Sequence, residues 1–195
     1  MKRWLLIALI AFGAWHWWSS RGIERAPGVI AAAAPQQLAI AGNPPQFEKK
    51  GHTLTALARF TLTARVLGIE HYRFDREADL APVDFALGWG PMSDSAVLSK
   101  VRISQGGRVY YWRVDEFPVP RREIEINSAN MHLIPATSAV EKQLKRARTG
   151  SIVQLSGYLV EARAADGWRW VSSLTREDTG AGACELIWVE QLELR

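Results

Sequence analysis

From Leu54 to Val66 the chain alternates. Leu54, Ala56, Ala58, Phe60, Leu62, Ala64 and Val66 hold the even positions; Thr55, Arg59, Thr61, Thr63 and Arg65 hold the odd ones, with Leu57 the single exception. A period of two cannot keep its apolar residues on one side of a helix, whose period is 3.6, but places all of them on one face of a strand. The pattern therefore demands a long, half-buried strand with further strands along its edges. Gly68 interrupts the alternation and Tyr72 and Phe74 follow it, which predicts a bulge or bend at Gly68.

Other segments extend the β reading. Val109–Val114 and Glu123–Ile126 read as strands on either side of a loop holding Pro118 and Pro120. Ser151–Ala162 is a strand with Gly157 inside it. Asp166-Gly167 marks a hairpin turn, Trp168–Leu174 returns with Trp168 and Trp170 on one face, and Cys184–Leu192 is the last strand. Two helices are expected. Pro82 and Gly88 bracket a two-turn helix, and Ser138 with Glu141 forms a capping box ahead of Val140, Leu144 and Ala147. His132 falls in an irregular stretch, NSANMHLIPA. The result is a mainly β fold with one or two short helices. A small β-barrel is expected, and strands, helix, then strands is the order of an OB-fold.

That fold lies behind a different kind of segment. Lys2 and Arg3 precede an apolar run from Trp4 to Trp18, the pattern of a signal peptide or a single-span anchor. No small-x-small cleavage site follows directly, and Trp15, Trp17 and Trp18 suit a membrane interface. Residues 1–21 are read as a signal-anchor or transmembrane helix, residues 22–51 as an Ala/Pro-rich linker, and residues 52–195 as one β-rich domain. The expected location is the bacterial inner membrane, crossed once through residues 4–20, with the C-terminal domain in the periplasm.

Charge narrows the partners. The chain of 195 residues has a formal net charge of +4. Residues 1–50 hold six basic and two acidic residues, and residues 51–195 hold 18 of each. The excess belongs to the tail, and a neutral domain lacks the electrostatic footprint of a nucleic-acid binder. No nucleic acid is expected; another envelope protein is.

Cys184, the single cysteine, follows a glycine-rich loop within SSLTREDTGAGACELIWVE. A thiol nucleophile needs a histidine base and a group to orient it. His132 is the first candidate base and His71 the second; Asp178 or Asn130 is the candidate orienting group, and the amides of Gly180-Ala181-Gly182 could face an oxyanion. The competing reading is a packed structural cysteine. Trp89, Asn130 and Arg176 are candidate ligand contacts, with Trp89 alternatively a packed anchor for its turn. Glu70, His71, Asp75, Glu77 and Asp79 have no metal-loop spacing and read as a solvated strand end, so neither a metal site nor a cofactor is implied.

DFALGWGPMSD, NMHLIPA and SSLTREDTGAGACELIWVE together resemble a group of membrane-anchored proteobacterial proteins with no assigned activity, over about Val83 to Glu190. The resemblance implies a location and a single domain, and no catalytic residue. The function expected is a membrane-anchored periplasmic binding or assembly module; the alternative is a cysteine-dependent hydrolase or acyltransferase using Cys184 and His132.

Overall fold

The computed structural model describes residues 13, 21–175 and 184–195. The alternating segment is one strand, β3 (His52–His71), and its even-numbered side chains from Leu54 to Val66 are all buried. Two short strands precede it, β1 (Gln36–Leu38) and β2 (Gln46–Lys49). After it come α1 (Arg76–Leu80), β4 (Val83–Gly88), a 3-10 turn (Gly90–Ser93), α2 (Ser95–Leu98), and the hairpin of β5 (Val101–Gly106) and β6 (Val109–Val114). The chain continues through α3 (Arg121–Ile126), β7 (Ser128–Pro135), α4 (Ser138–Leu144), β8 (Ile152–Ala164), β9 (Arg169–Val171) and β10 (Glu185–Leu194). The fold is mainly β, with four short helices among the described residues where one or two were expected.

Strand pairing runs β3, β4, β7, β10, β8, and β8 pairs again with β3. β7 and β10 are parallel; the other neighbours in this series are antiparallel. Inward side chains of all five strands meet in one core that includes Phe60, Phe85, Leu133, Leu155 and Ile187, with Val140 and Leu144 of α4 packed into it. Each fully buried side chain of this kind contributes roughly 1.5–3 kcal/mol relative to an exposed one. The bend at Gly68 is present as a register shift between Val66 and Gly68. Gly157 has a steric role, because a Cβ there would lie 1.9 Å from the Trp188 carbonyl oxygen.

Several local expectations are corrected. Pro82 and Gly88 bracket β4, not a helix. Val83, Phe85 and Leu87 face the core while Asp84 and Ala86 face the other way and are also buried. A strand covered on both sides loses the polar alternation that would identify it. Glu123–Ile126 is the end of α3, not a strand; Pro120 caps it, Ile124 is buried, and Ser128 Oγ donates to the Ile124 carbonyl (2.7 Å). NSANMHLIPA is largely β7. The cap of α4 is Thr137, whose hydroxyl accepts from the Val140 amide, one residue before the expected Ser138.

Residues 22–51, expected as a spacer, are laid against the folded unit. Prolines prevent a helix here, so the backbone must find partners elsewhere. The Ile23 amide donates to Thr149 O (2.7 Å), the Gly90 amide to Ala31 O (2.7 Å), and the Ile30 and Ala31 amides to Ser93 Oγ (3.1 Å each). β1 and β2 pair with the edge of β3. Gly150 admits the strap: its φ is +88°, and a Cβ would lie 2.0 Å from Ile23 O. The apolar segment 4–20 lies outside the described residues, apart from residue 13. Among the described residues no helix is long and apolar enough to cross a membrane.

Candidate functional site

The outer side of β4 and β7 carries Asp84, Asn130 and His132, and the β5–β6 hairpin folds over it. Asp84 stands opposite His132 in the antiparallel register, and Ala86 stands opposite Asn130. Asp84 is 0% exposed. An isolated buried carboxylate is strongly unfavourable, and this one is met by a cation from the hairpin tip. Arg108 Nη1 donates to Asp84 Oδ1 (3.1 Å), and Arg108 Nη2 to Asp75 Oδ1 (2.7 Å). Nδ1 of His132 stands 2.9 Å from Asp84 Oδ2, close but off the line a hydrogen bond needs.

The turn that delivers Arg108 is strained. Gly107 and Arg108 have φ of 60° and 67° between the paired residues Gly106 and Val109. Two positive φ values in a two-residue hairpin define a type I′ turn, where a glycine or asparagine is usual and an arginine is not. It is held by two carboxylates, by the Tyr72 hydroxyl accepting from the Arg108 amide (3.0 Å), and by the Tyr72 ring 3.7 Å beneath the guanidinium. Backbone strain of this kind concentrates at functional positions.

Around Arg108 runs a ladder of rings and cations. Its guanidinium lies 5.5 Å from the Trp170 ring; Trp170 meets Trp168 edge to face at 6.2 Å; and Arg76 lies 4.8 Å over Trp168 while making two 2.8 Å bonds to Asp166. His132 packs beneath Trp170 at 4.8 Å. Tyr72, Arg76, Arg108, Trp168 and Trp170 are all partly exposed, so the ladder forms the accessible rim of the buried cluster. Burial, and then the charge of Asp84, pushes the Tyr72 phenol up to about 12. Burial also raises Tyr110, whose hydroxyl lies 2.8 Å from Ser128 Oγ.

The sequence candidates fall in different places. His132 is in the middle of β7, 4% exposed, not in a loop. Cys184 lies one residue before the paired positions Glu185 and Met131, so along the strands it is beside Asn130 and two positions short of His132. Its Sγ is 3.8 Å from the Arg108 carbonyl oxygen. Asn130 is built into the cluster: its amide nitrogen donates to Arg108 O (3.1 Å), and its Oδ1 accepts from Gln105 (2.9 Å). Trp89 is buried in the main core, which leaves no ring face for a ligand, and it fits the alternative of a packed anchor. His71 is at the far end of β3, with burial lowering its pKa. Arg176, Asp178 and Gly180-Ala181-Gly182 lie outside the described residues. No cluster of metal-binding side chains occurs among the described residues.

Asp84, Arg108, Tyr72 and Arg76 were not singled out from the sequence. One signal pointed to Arg108: Gly106-Gly107 between two runs of strand-forming residues is a hairpin mark. Asp84 carried no such signal, because its partners arrive from residues 24 and 48 positions away.

The fold and site together define a mainly β protein whose buried ionic cluster is rimmed by an aromatic–arginine ladder. No known family model, no curated protein and no solved structure matches the chain.

Proposed function

We propose that this chain is a membrane-anchored binding or assembly module of the bacterial envelope, held in the inner membrane by residues 4–20 with its folded unit in the periplasm. The strand order β3-β4-β7-β10-β8-β3, with β7 and β10 parallel and α4 between β7 and β8, supports a small closed β-barrel of OB-fold type. Barrels of that kind bind through the second and third strands and the loops after the first and fourth. Here β4 and β7 hold the strand places, and the hairpin covers them. Accessible binding area is thereby moved to the rim.

The observation that carries the binding reading is the ladder of Arg76, Trp168, Trp170, Arg108 and Tyr72. Trp, Tyr and Arg dominate the energetics of protein interfaces, and side chains already stacked on one another have little freedom left to lose on binding. The partner we assign is another envelope protein. A folded unit of zero net charge gives no support to nucleic acid.

A second reading, thiol chemistry, is favoured by one observation: Cys184 precedes β10 on the side of β7 that also carries His132 and Asp84. Burial of His132 beneath Trp170 weighs against it. Co-purification from membranes separates the two. A partner retained by wild type and Cys184→Ala but lost by Trp168→Ala/Trp170→Ala supports binding. Undiminished capture by a folded double variant sinks that reading, and labelling of Cys184 by a thiol probe that requires His132 favours the enzyme.

A further inference from the structure

Arg65 is a permanent cation, yet it is only 8% exposed. Both of its hydrogen bonds leave Nη1, to the Ser93 carbonyl (3.2 Å) and to Ser95 Oγ (2.6 Å). Neither partner is charged. A buried cation with only neutral partners keeps most of its desolvation cost. Burial, and next the proximity of Arg25, holds its pKa below the usual guanidinium range, against a smaller opposing pull from Asp94. Asp94 Oδ1 is itself engaged by the amides of Gly28 and Ala96 (2.8 Å each).

Arg65 lines an open cleft with Arg21, Arg25, Ser95, Ser99 and Thr149. Arg25 forms one wall, its Nε on Gly150 O (2.6 Å) and its Nη2 on the Arg195 main-chain oxygen (2.7 Å). Glu24 is the single acid in the lining. Three guanidiniums and the hydroxyls of Ser95 and Thr149 give a donor set that matches phosphate oxygens, the Ser99 hydroxyl being spent on the Ala96 carbonyl (2.8 Å). Residue 21 is also where the chain arrives from the apolar segment 4–20, so the cleft opens at that entry point.

We propose that this cleft binds a phosphodiester, supplied by an anionic phospholipid headgroup at the surface where residues 4–20 enter the bilayer. This deepens the membrane-anchored reading and rests on it. The bound headgroup gives Arg65 the counter-charge it lacks and fixes how the folded unit faces the membrane.

The test uses the full chain in uncharged detergent. Short-chain phosphatidylglycerol, short-chain phosphatidylcholine and inorganic phosphate are titrated separately, with affinity read from tryptophan fluorescence and the melting midpoint. Phosphatidylglycerol is expected to bind about tenfold or more tighter than the other two, and Arg65→Lys and Arg21→Gln are each expected to weaken it by about tenfold, the scale of one charge-assisted contact. Arg21 is exposed, so its variant keeps the test alive if Arg65→Lys fails to fold. Equal binding of the two lipids, or folded variants that bind as wild type does, overturns the proposal. Inorganic phosphate binding as tightly as phosphatidylglycerol overturns the lipid assignment. Alkaline carbonate extraction isolates the underlying reading. Release of the chain from membranes refutes the anchor and with it a lipid at that surface, while retention without lipid preference refutes the cleft alone.

Discussion

Replacing Asp84 by alanine should be among the costliest single changes on the outer side of the sheet. The carboxylate is wholly buried and meets Arg108 at 3.1 Å and His132 at 2.9 Å. Removing one partner of a buried ion pair costs about 3–5 kcal/mol, because the other charge is left behind without compensation. Arg108 retains Asp75 at 2.7 Å, and its side chain is 17% exposed, so the loss belongs at the lower end, about 3 kcal/mol. For a chain of this size that corresponds to a fall of roughly 6–12 °C in melting midpoint. The assay is the thermal melt of the full chain in detergent, followed by near-ultraviolet circular dichroism. Asp75→Asn is the internal control: it removes the charge of a 44% exposed carboxylate from the same guanidinium, keeps a side-chain oxygen to accept from the Ala78 amide (2.6 Å) at the start of α1, and should cost no more than about 1 kcal/mol. Asp84→Leu/Arg108→Met, which removes both charges, should recover part of the loss. A midpoint for Asp84→Ala within 2 °C of wild type, on the order of 1 kcal/mol or less, would show that the cluster is not held as an ion pair. A control as damaging as Asp84→Ala would refute the burial argument.

Gly157→Ala should lower the melting midpoint by an amount equivalent to about 1–3 kcal/mol, since its Cβ would meet the Trp188 carbonyl at 1.9 Å; an unchanged melt refutes the close approach. Gly150→Ala should lift the strap, because its Cβ would lie 2.0 Å from Ile23 O, and trypsin should then cut faster after Arg21 and Arg25; unaltered cleavage rates count against it. Tyr72 should ionise near pH 12. Its neutral phenol is favoured in the folded state, so the associated stability is intact below pH 10 and falls as pH rises from 10 to about 12. The ultraviolet titration of wild type minus that of Tyr72→Phe checks this: the difference is expected near pH 12, and a difference centred near pH 10 refutes it.

The long strand was legible because one of its faces is buried and the other largely is not, so its sequence alternates. β4 was not, because the hairpin covers its second face; Asp84 and Ala86 are as buried as Val83 and Phe85, and the Pro82–Gly88 frame then suits a helix equally well. In α3, Glu123-Ile124-Glu125-Ile126 alternates over too few residues to separate one period from the other. His132 lay among polar residues and before a proline, which suggested a loop; those polar residues are satisfied by Arg108, Gln105 and Tyr110, whose approach is set by tertiary structure. The same reason hid the site. Cys184 is conspicuous as the single cysteine, whereas Asp84 and Arg108 gain their meaning only from each other. Trp168 and Trp170 were placed correctly on one face, yet Arg76 and Arg108, which complete the ladder, come from the start of α1 and from the β5–β6 turn, both remote in sequence.

The strap of residues 22–51 has a consequence for reach. A free chain of that length would let its domain wander by roughly 30 Å root-mean-square. Hydrogen bonds at Ile23, Gly28, Ile30 and Ala31, then the pairing of β1 and β2, remove that slack. With the anchoring proposed above, the folded unit is moored close against the bilayer instead of patrolling the space beyond it. Its encounters are then confined to a thin layer, and a partner has to be a resident of that layer, diffusing in two dimensions, to find it.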